Sequence, residues 1–182
     1  EYELRLSRAQ KIMHQNKLDG IFVTNKANFR YFSGFDSQFW ESPTRPWFLV
    51  IPGEGEPIAV IPEIGVSGIT NTWISDISTW SAPNPEDDGI SLLVDKIEKL
   101  GNRFGKVGAE LGREMSLRMP IIDFMKLKHN LGSEIVDASP AIWEMRMIKT
   151  EGEIQRIKYI CSIVSEAYEE IPNKISIGDS ER

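Results

Sequence analysis

The chain has 182 residues, enough for one good hydrophobic core or for one domain and part of a second. With 41% hydrophobic and 26% charged residues and a net charge of −6, it reads as a globular protein and not as a nucleic-acid binder, because its Lys and Arg are scattered instead of clustered. Apolar runs of only a few residues and an opening Glu-Tyr-Glu-Leu-Arg argue against a transmembrane span or a signal peptide, so a cytoplasmic protein is expected.

Residues 2–17 set Tyr2, Leu6, Ala9 and Met13 at helical spacing with Ile12 beside them, which predicts an amphipathic helix ended by Asp19-Gly20. Ile-Phe-Val-Thr at 21–24 reads as a short strand, and 25–35 as a turn-rich segment. Residues 38–48, Gln-Phe-Trp-Glu-Ser-Pro-Thr-Arg-Pro-Trp-Phe, crowd four aromatic rings and one arginine around two prolines with no helical or alternating period. Pro43 and Pro46 fix φ and push Ser42 and Arg45 toward extended geometry, so this is a shaped loop feeding a strand. It is either a contact surface or an aromatic plug closing the edge of its own domain.

Residues 47–51 and 57–61 read as strands joined by a hairpin at 52–56. A helix at 63–70 and a strand at 74–80 follow. Asn84 as N-cap, Pro85 at the first helical position and acidic Glu86, Asp87 and Asp88 predict a helix start, with Ile90, Leu93, Val94, Ile97 and Leu100 as its apolar stripe and Gly101 past its end. The acidic trio makes a poor metal site, since consecutive residues at a helix start point in different directions. Residues 106–109 form a strand, Ser116 is placed to cap a helix carrying Leu117, Ile121, Phe124 and Leu127, and 134–136 form a further strand. Ser139-Pro140 opens a short helix.

Thr150-Glu151-Gly152-Glu153 fits a capping box, and the helix it opens carries Ile154, Ile157, Cys161, Val164 and Tyr168 in a three-four alternation that calls for a partner surface. Pro172 is expected to end it. Cys161, the single cysteine, has no disulfide partner in the chain and no zinc-knuckle neighbours, so it reads as a small buried apolar residue. Residues 178–182 look like the cap and first turn of a helix that is not built, which suggests an interrupted chain; a polar tail is the alternative.

Helices alternating with short strands indicate an α/β domain, and the hairpin makes its β-sheet mixed. No dinucleotide fingerprint, phosphate-binding loop, His-Glu-x-x-His or nucleophile elbow occurs. His14 and His129 have no ligand-spaced partner and read as surface residues.

Two segments resemble the creatinase/prolidase family of pita-bread metallopeptidases. Asn28-Phe29-Arg30-Tyr31-Phe32-Ser33-Gly34-Phe35 matches the family's Asn, Tyr-apolar, Ser/Thr-Gly-aromatic pattern after the first strand. Arg146-Met147-Ile148-Lys149-Thr150-Glu151-Gly152-Glu153-Ile154-Gln155-Arg156-Ile157-Lys158 resembles the junction leading into the catalytic domain. The resemblance implies a ribonuclease-H-like N-terminal domain over 1–147, a mixed sheet flanked by helices, followed at 148–182 by the junction and the start of the catalytic domain. It further implies a non-catalytic domain of a dimeric metallohydrolase, an Xaa-Pro dipeptidase or aminopeptidase, whose two divalent ions (Mn, Co or Zn) are held by two Asp, one His and two Glu beyond this chain's end. No catalytic residue or metal ligand is then expected in this chain, and the fragment alone should be inactive.

In family members the domain commonly supports dimerisation and lends a loop to the neighbouring subunit's active site. Arg45 lies in the corresponding place, with Trp40 and Trp47 as walls of the pocket, to bind a small peptide or small-molecule substrate in trans. The alternatives are the same domain from a creatinase-like amidinohydrolase, or a free-standing interaction module without a catalytic half; a nuclease lacks both convergent carboxylates and a basic face.

Overall fold

Alternation along the strands sorts the apolar side chains into two layers. In β1 (Gly20–Val23), Ile21 and Val23 join one layer and Phe22 the other; in β2 (Phe48–Pro52), Leu49 and Ile51 join the first, Phe48 and Val50 the second. The structure is a computed structural model that describes residues 1–41 and 45–180. The chain divides into two units, Glu1–Met145 and Arg146–Arg182.

In the first unit β1 pairs antiparallel with β2, and β2 antiparallel with β3 (Ile58–Pro62), through the hairpin expected from Pro52-Gly53-Glu54-Gly55-Glu56. β4 (Asp76–Trp80) lies parallel to β3, β5 (Lys106–Ala109) parallel to β1, and β6 (Glu134–Asp137) parallel to β5, giving a six-stranded mixed sheet of order β4-β3-β2-β1-β5-β6. β1 and β2 are buried along their whole length, as strands covered on both faces must be.

Helix α1 (Tyr2–Gln15) covers the first layer with Leu6, Ala9, Ile12 and Met13, together with α2 (Lys26–Ser33) through Phe29 and Phe32 and α6 (Ser139–Met147) through Ile142 and Met145. A 3-10 turn at Glu63–Gly65 leads into the single-turn α3 (Val66–Ile69), which adds Ile69. The second layer is closed by α4 (Ile90–Glu98) through Ile90, Leu93 and Ile97 and by α5 (Ile121–Asn130) through Leu127.

Five local expectations are corrected. Residues 25–35 are not a turn-rich segment but contain α2, with the Asn25 side chain accepting from the Ala27 amide at 2.9 Å and Gly34 in the left-handed region at φ 77° as C-cap. The helix expected from Asn84 begins only at Ile90. Gly89 is left-handed at φ 85° with the Trp80 ring where a Cβ at that position would be, both of which require glycine, and Asp87 instead accepts from the Ser91 amide at 3.0 Å. Ser116 does not cap α5; its hydroxyl accepts from the Asn25 carboxamide at 3.2 Å, the helix starts after Pro120, and Ile121 is 81% exposed.

The other two corrections fall in the second unit. Its helix α7 (Glu151–Lys174) has the expected capping box, Thr150 Oγ1 accepting from the Glu153 amide at 3.2 Å and Glu153 Oε2 from the Thr150 amide at 2.8 Å, but it runs through Pro172. Proline there removes one intrahelical donor, and only two more residues follow in the helix. No residue of α7 is buried: Ile157 is 48%, Val164 48% and Tyr168 69% exposed, and Cys161 is exposed, not buried. Of the terminal segment, Asp179 accepts from the Ser176 amide at 2.7 Å, while Glu181 and Arg182 lie outside the described residues.

Candidate functional site

Strand register gathers the chain's chemistry at one end of the sheet. Val23 pairs with Leu49, Phe48 with Val60, Pro62 with Trp80 and Ala109 with Asp137, so β1, β3, β4, β5 and β6 all leave the sheet where β2 enters it. The loop of residues 34–47 and the loop of residues 110–120 both sit at this end.

The segment 28–35 braces the first of these loops. Tyr31 donates its hydroxyl to the Met145 carbonyl at 3.1 Å, the Ser33 hydroxyl donates back to the Phe29 carbonyl at 2.8 Å and accepts from the Phe35 amide at 3.0 Å, and the Trp73 indole donates to the Phe32 carbonyl at 2.8 Å. Gly34 then redirects the chain. A Cβ there would lie 2.5 Å from the Tyr2 hydroxyl oxygen. Lys26 and Arg30 reach back from α2 to Asp36, each at 3.0 Å. The Lys26 hydrogen bond, opposed by a small burial cost and reinforced by both cations and the Ser37 amide, holds the Asp36 carboxyl below its ordinary range.

Trp40 and Trp47 are core side chains, each 3% exposed, and neither faces solvent in this chain. Trp47 stacks on Phe35 with centroids 5.5 Å apart, and Trp40 meets Phe29 edge-on at 4.7 Å and Trp47 at 5.1 Å. Gly65 comes close under the Trp47 ring. The rings form the aromatic plug that the sequence allowed, and the plug anchors both feet of the loop. Arg45 stands apart from them: it is exposed and makes no hydrogen bond or ion pair among the described residues. Of the expected trio, the structure brings the two tryptophans together and leaves the arginine outside. Ser42, Pro43 and Thr44 lie outside the described residues.

Glu110, which no sequence motif marked, is 1% exposed at the end of β5. Its Oε2 accepts from the Thr24 amide at 2.7 Å, the Asn25 amide at 2.9 Å and the Thr24 hydroxyl at 3.1 Å, and its Oε1 from the Asn28 carboxamide at 2.5 Å. Here the chains leaving β1 and β5 turn to opposite faces of the sheet, α2 to one layer and α5 to the other. That divergence is where open α/β sheets bind ligands. In this chain the crevice is filled from within by the Glu110 carboxylate at the start of α2. The only local sign in the sequence is an acidic residue directly after a predicted strand.

The remaining titratable groups do not assemble. Among the described residues no group of three or more His, Cys, Asp or Glu is placed to hold a metal ion. Asp19, buried near the opposite end of the sheet, has its carboxylate taken by the amides of Arg103, Phe104, Gly105 and Lys106 at 2.7–3.3 Å. It floors a cleft of about 400 Å³ that His14, edge-on to Phe104 at 5.7 Å, also lines. His129 is exposed on α5. The Asp137 carboxyl is raised by burial but held lower on balance by the Ser139 hydroxyl and by the amides of Ser139, Gly112 and Leu111. Among the described residues no helix is long and apolar enough to cross a membrane.

The chain matches the Creatinase/Prolidase N-terminal domain family over residues 5–148. It is 26% identical over 180 residues to an Xaa-Pro dipeptidase of Pyrococcus furiosus, which covers 98% of this chain but 44% of that relative. A solved prolidase of Thermococcus sibiricus superposes with a TM-score of 0.77 at 24% identity over all of this chain and 47% of its own. A structure described as a proline dipeptidase from Streptococcus pneumoniae matches 79% of this chain and 98% of its own, with a TM-score of 0.61 at 22% identity. At those identities the two structures show the fold. The chain thus spans about half the length of the curated relatives it matches.

Proposed function

The chain belongs to the creatinase/prolidase N-terminal domain family, and from that premise we propose that it is the non-catalytic N-terminal domain of a dimeric, cytoplasmic Xaa-Pro peptidase that lends Arg45 to the active site of the neighbouring subunit. The observation that carries this reading is the match of nearly the whole chain to less than half of Xaa-Pro dipeptidases.

Chemistry inside the chain supports the division of labour. Hydrolysis before proline by this family's route needs two divalent ions, Mn, Co or Zn, which activate water. The described residues offer no fit for them: the buried carboxylates Glu110 and Asp19 are saturated by hydrogen bonds, and His14 and His129 sit on separate exposed faces. The metals belong to the remaining length of the parent protein. What this chain supplies is an exposed guanidinium on a loop with rigid feet. An arginine there can bind a carboxylate, such as the C-terminus of a dipeptide, in a planar two-point geometry. Trp40 and Trp47 pack against each other at the two ends of the segment that carries Arg45. The apolar face of α7 is the surface that the rest of the parent protein covers.

Two further readings use the same domain. A creatinase-like amidinohydrolase would use the same arginine on the carboxylate of a guanidino acid. A free-standing module is favoured by the streptococcal chain whose own length is matched almost completely. The test is Arg45→Ala in the full-length protein, assayed on Xaa-Pro dipeptides with Mn²⁺ and on a guanidino acid. KM is expected to rise about tenfold or more on the accepted substrate. Unchanged turnover and affinity return the loop to a structural role, and a gene that ends without five metal ligands leaves the free-standing module.

A further inference from the structure

Among the described residues Glu110 is the one buried carboxylate at the Arg45 end of the sheet, and its hydrogen bonds lead toward the loop. Its Oε2 holds the Thr24 amide at 2.7 Å and the Thr24 hydroxyl at 3.1 Å, and the carbonyl of the same Thr24 accepts from the Trp40 indole at 3.3 Å. Trp40 packs on Trp47 at 5.1 Å, two residues beyond Arg45. The Thr24 hydroxyl also accepts from the Arg118 amide at 2.8 Å, so residues 110–118 close on the same point. From this geometry we infer that Glu110 is a positioning residue for Arg45: it fixes Thr24, Thr24 fixes the Trp40 ring, and the Trp40–Trp47 pair sets the foot of the loop. The inference rests on the reading of Arg45 as a substrate contact.

The bonding pattern requires a carboxylate. Four donors converge on its two oxygens, and a glutamine in the same place turns an NH₂ group against at least one of them whichever way it lies. Either Asn28, or Thr24 together with Asn25, is released, and the start of α2 loosens together with the loop that follows it. The crevice that open sheets use for ligands is occupied by this carboxylate, so recognition is displaced outward to the loop it steadies.

Two measurements separate this inference from the reading beneath it. In the 182-residue chain the Trp40–Trp47 pair, 5.1 Å apart and tilted by 30°, is expected to give an exciton component in circular dichroism, identified as the part lost in Trp40→Phe; Glu110→Gln is expected to remove most of it. In the full-length protein Glu110→Gln is expected to raise KM about three- to tenfold with little change in kcat, and to add nothing in an Arg45→Ala background. An intact exciton component, an unchanged KM where Arg45→Ala raises it, or effects that simply add would overturn the inference. If Arg45→Ala is silent, the substrate reading of Arg45 fails and the exciton component alone decides whether Glu110 sets the loop. Should Glu110→Gln not fold, Trp40→Phe carries the kinetic test, since it keeps a ring in the plug but loses the indole donor to Thr24; a KM left unchanged by it while Arg45→Ala raises KM also overturns the inference.

Discussion

Replacing Gly34 by alanine is expected to cost the first unit about 2–3 kcal/mol, from two separable sources. Gly34 sits at φ 77°, and placing an L-residue with a Cβ there costs about 1–2 kcal/mol. The new methyl would lie 2.5 Å from the Tyr2 hydroxyl oxygen and 2.8 Å from Cζ, so the ring must leave its place. Tyr2 is stacked on Trp73 at 6.0 Å and 11°, and losing such a pair costs about 1 kcal/mol. Urea unfolding followed by tryptophan fluorescence reads the first unit alone, because all five tryptophans lie at or before Trp143. In a Tyr2→Ala background only the backbone cost should remain, giving a coupling of about 1 kcal/mol between the two positions. A Gly34→Ala cost under about 0.5 kcal/mol, or an equal cost in both backgrounds, refutes the reasoning.

The chain alone, supplied with Mn²⁺, Co²⁺ or Zn²⁺, is expected to leave Xaa-Pro dipeptides intact; metal-dependent cleavage by the purified chain would contradict its assignment as the non-catalytic domain. Because the apolar face of α7 is exposed, the isolated chain should self-associate through it, and Val164→Glu should abolish this; sedimentation showing only monomer for the unmodified chain at high concentration refutes the expectation. Asp36 contributes stability that is complete above the ordinary carboxylate value and is lost as pH falls through its lower folded value, since Lys26 and Arg30 favour the ionised form in the folded chain. At 42% side-chain exposure the effect is small, and Asp36→Asn should flatten acid unfolding over that window without altering stability at higher pH by more than about 0.5 kcal/mol. Thr150→Ala should lower the helicity of α7 by removing half of its capping box, at a cost near 1 kcal/mol, and an unchanged helical signal would count against the cap.

Local chemistry by itself determined the elements that depend on neighbours in sequence. Short apolar runs at 47–51 and 57–61 with Pro-Gly between them specify a hairpin, and Thr150 with Glu153 specifies a helix start, because each requires contacts only a few residues away. The mixed α/β class followed from their order. At two of the places where the structure departed from the sequence reading, a distant side chain is present: the Trp80 ring lies where a Cβ at Gly89 would be, and Asn25 takes the Ser116 hydroxyl that was expected to cap α5. The α2 helix was legible in Asn25 and Gly34, but the aromatic run between them masked its period.

The site divides the same way. An arginine between two prolines and flanked by tryptophans is visible as a loop in one dimension, yet which rings turn inward depends on Phe29, Phe35 and Gly65 arriving from other elements. Glu110 was invisible for the corresponding reason. A carboxylate after a strand is ordinary until β1 and β5 are set side by side, and only then do Thr24, Asn25 and Asn28, more than eighty residues earlier, converge on it. Sequence determined the pieces whose partners are near in the chain; tertiary structure decided burial and convergence, because both are properties of space that long-range strand pairing creates.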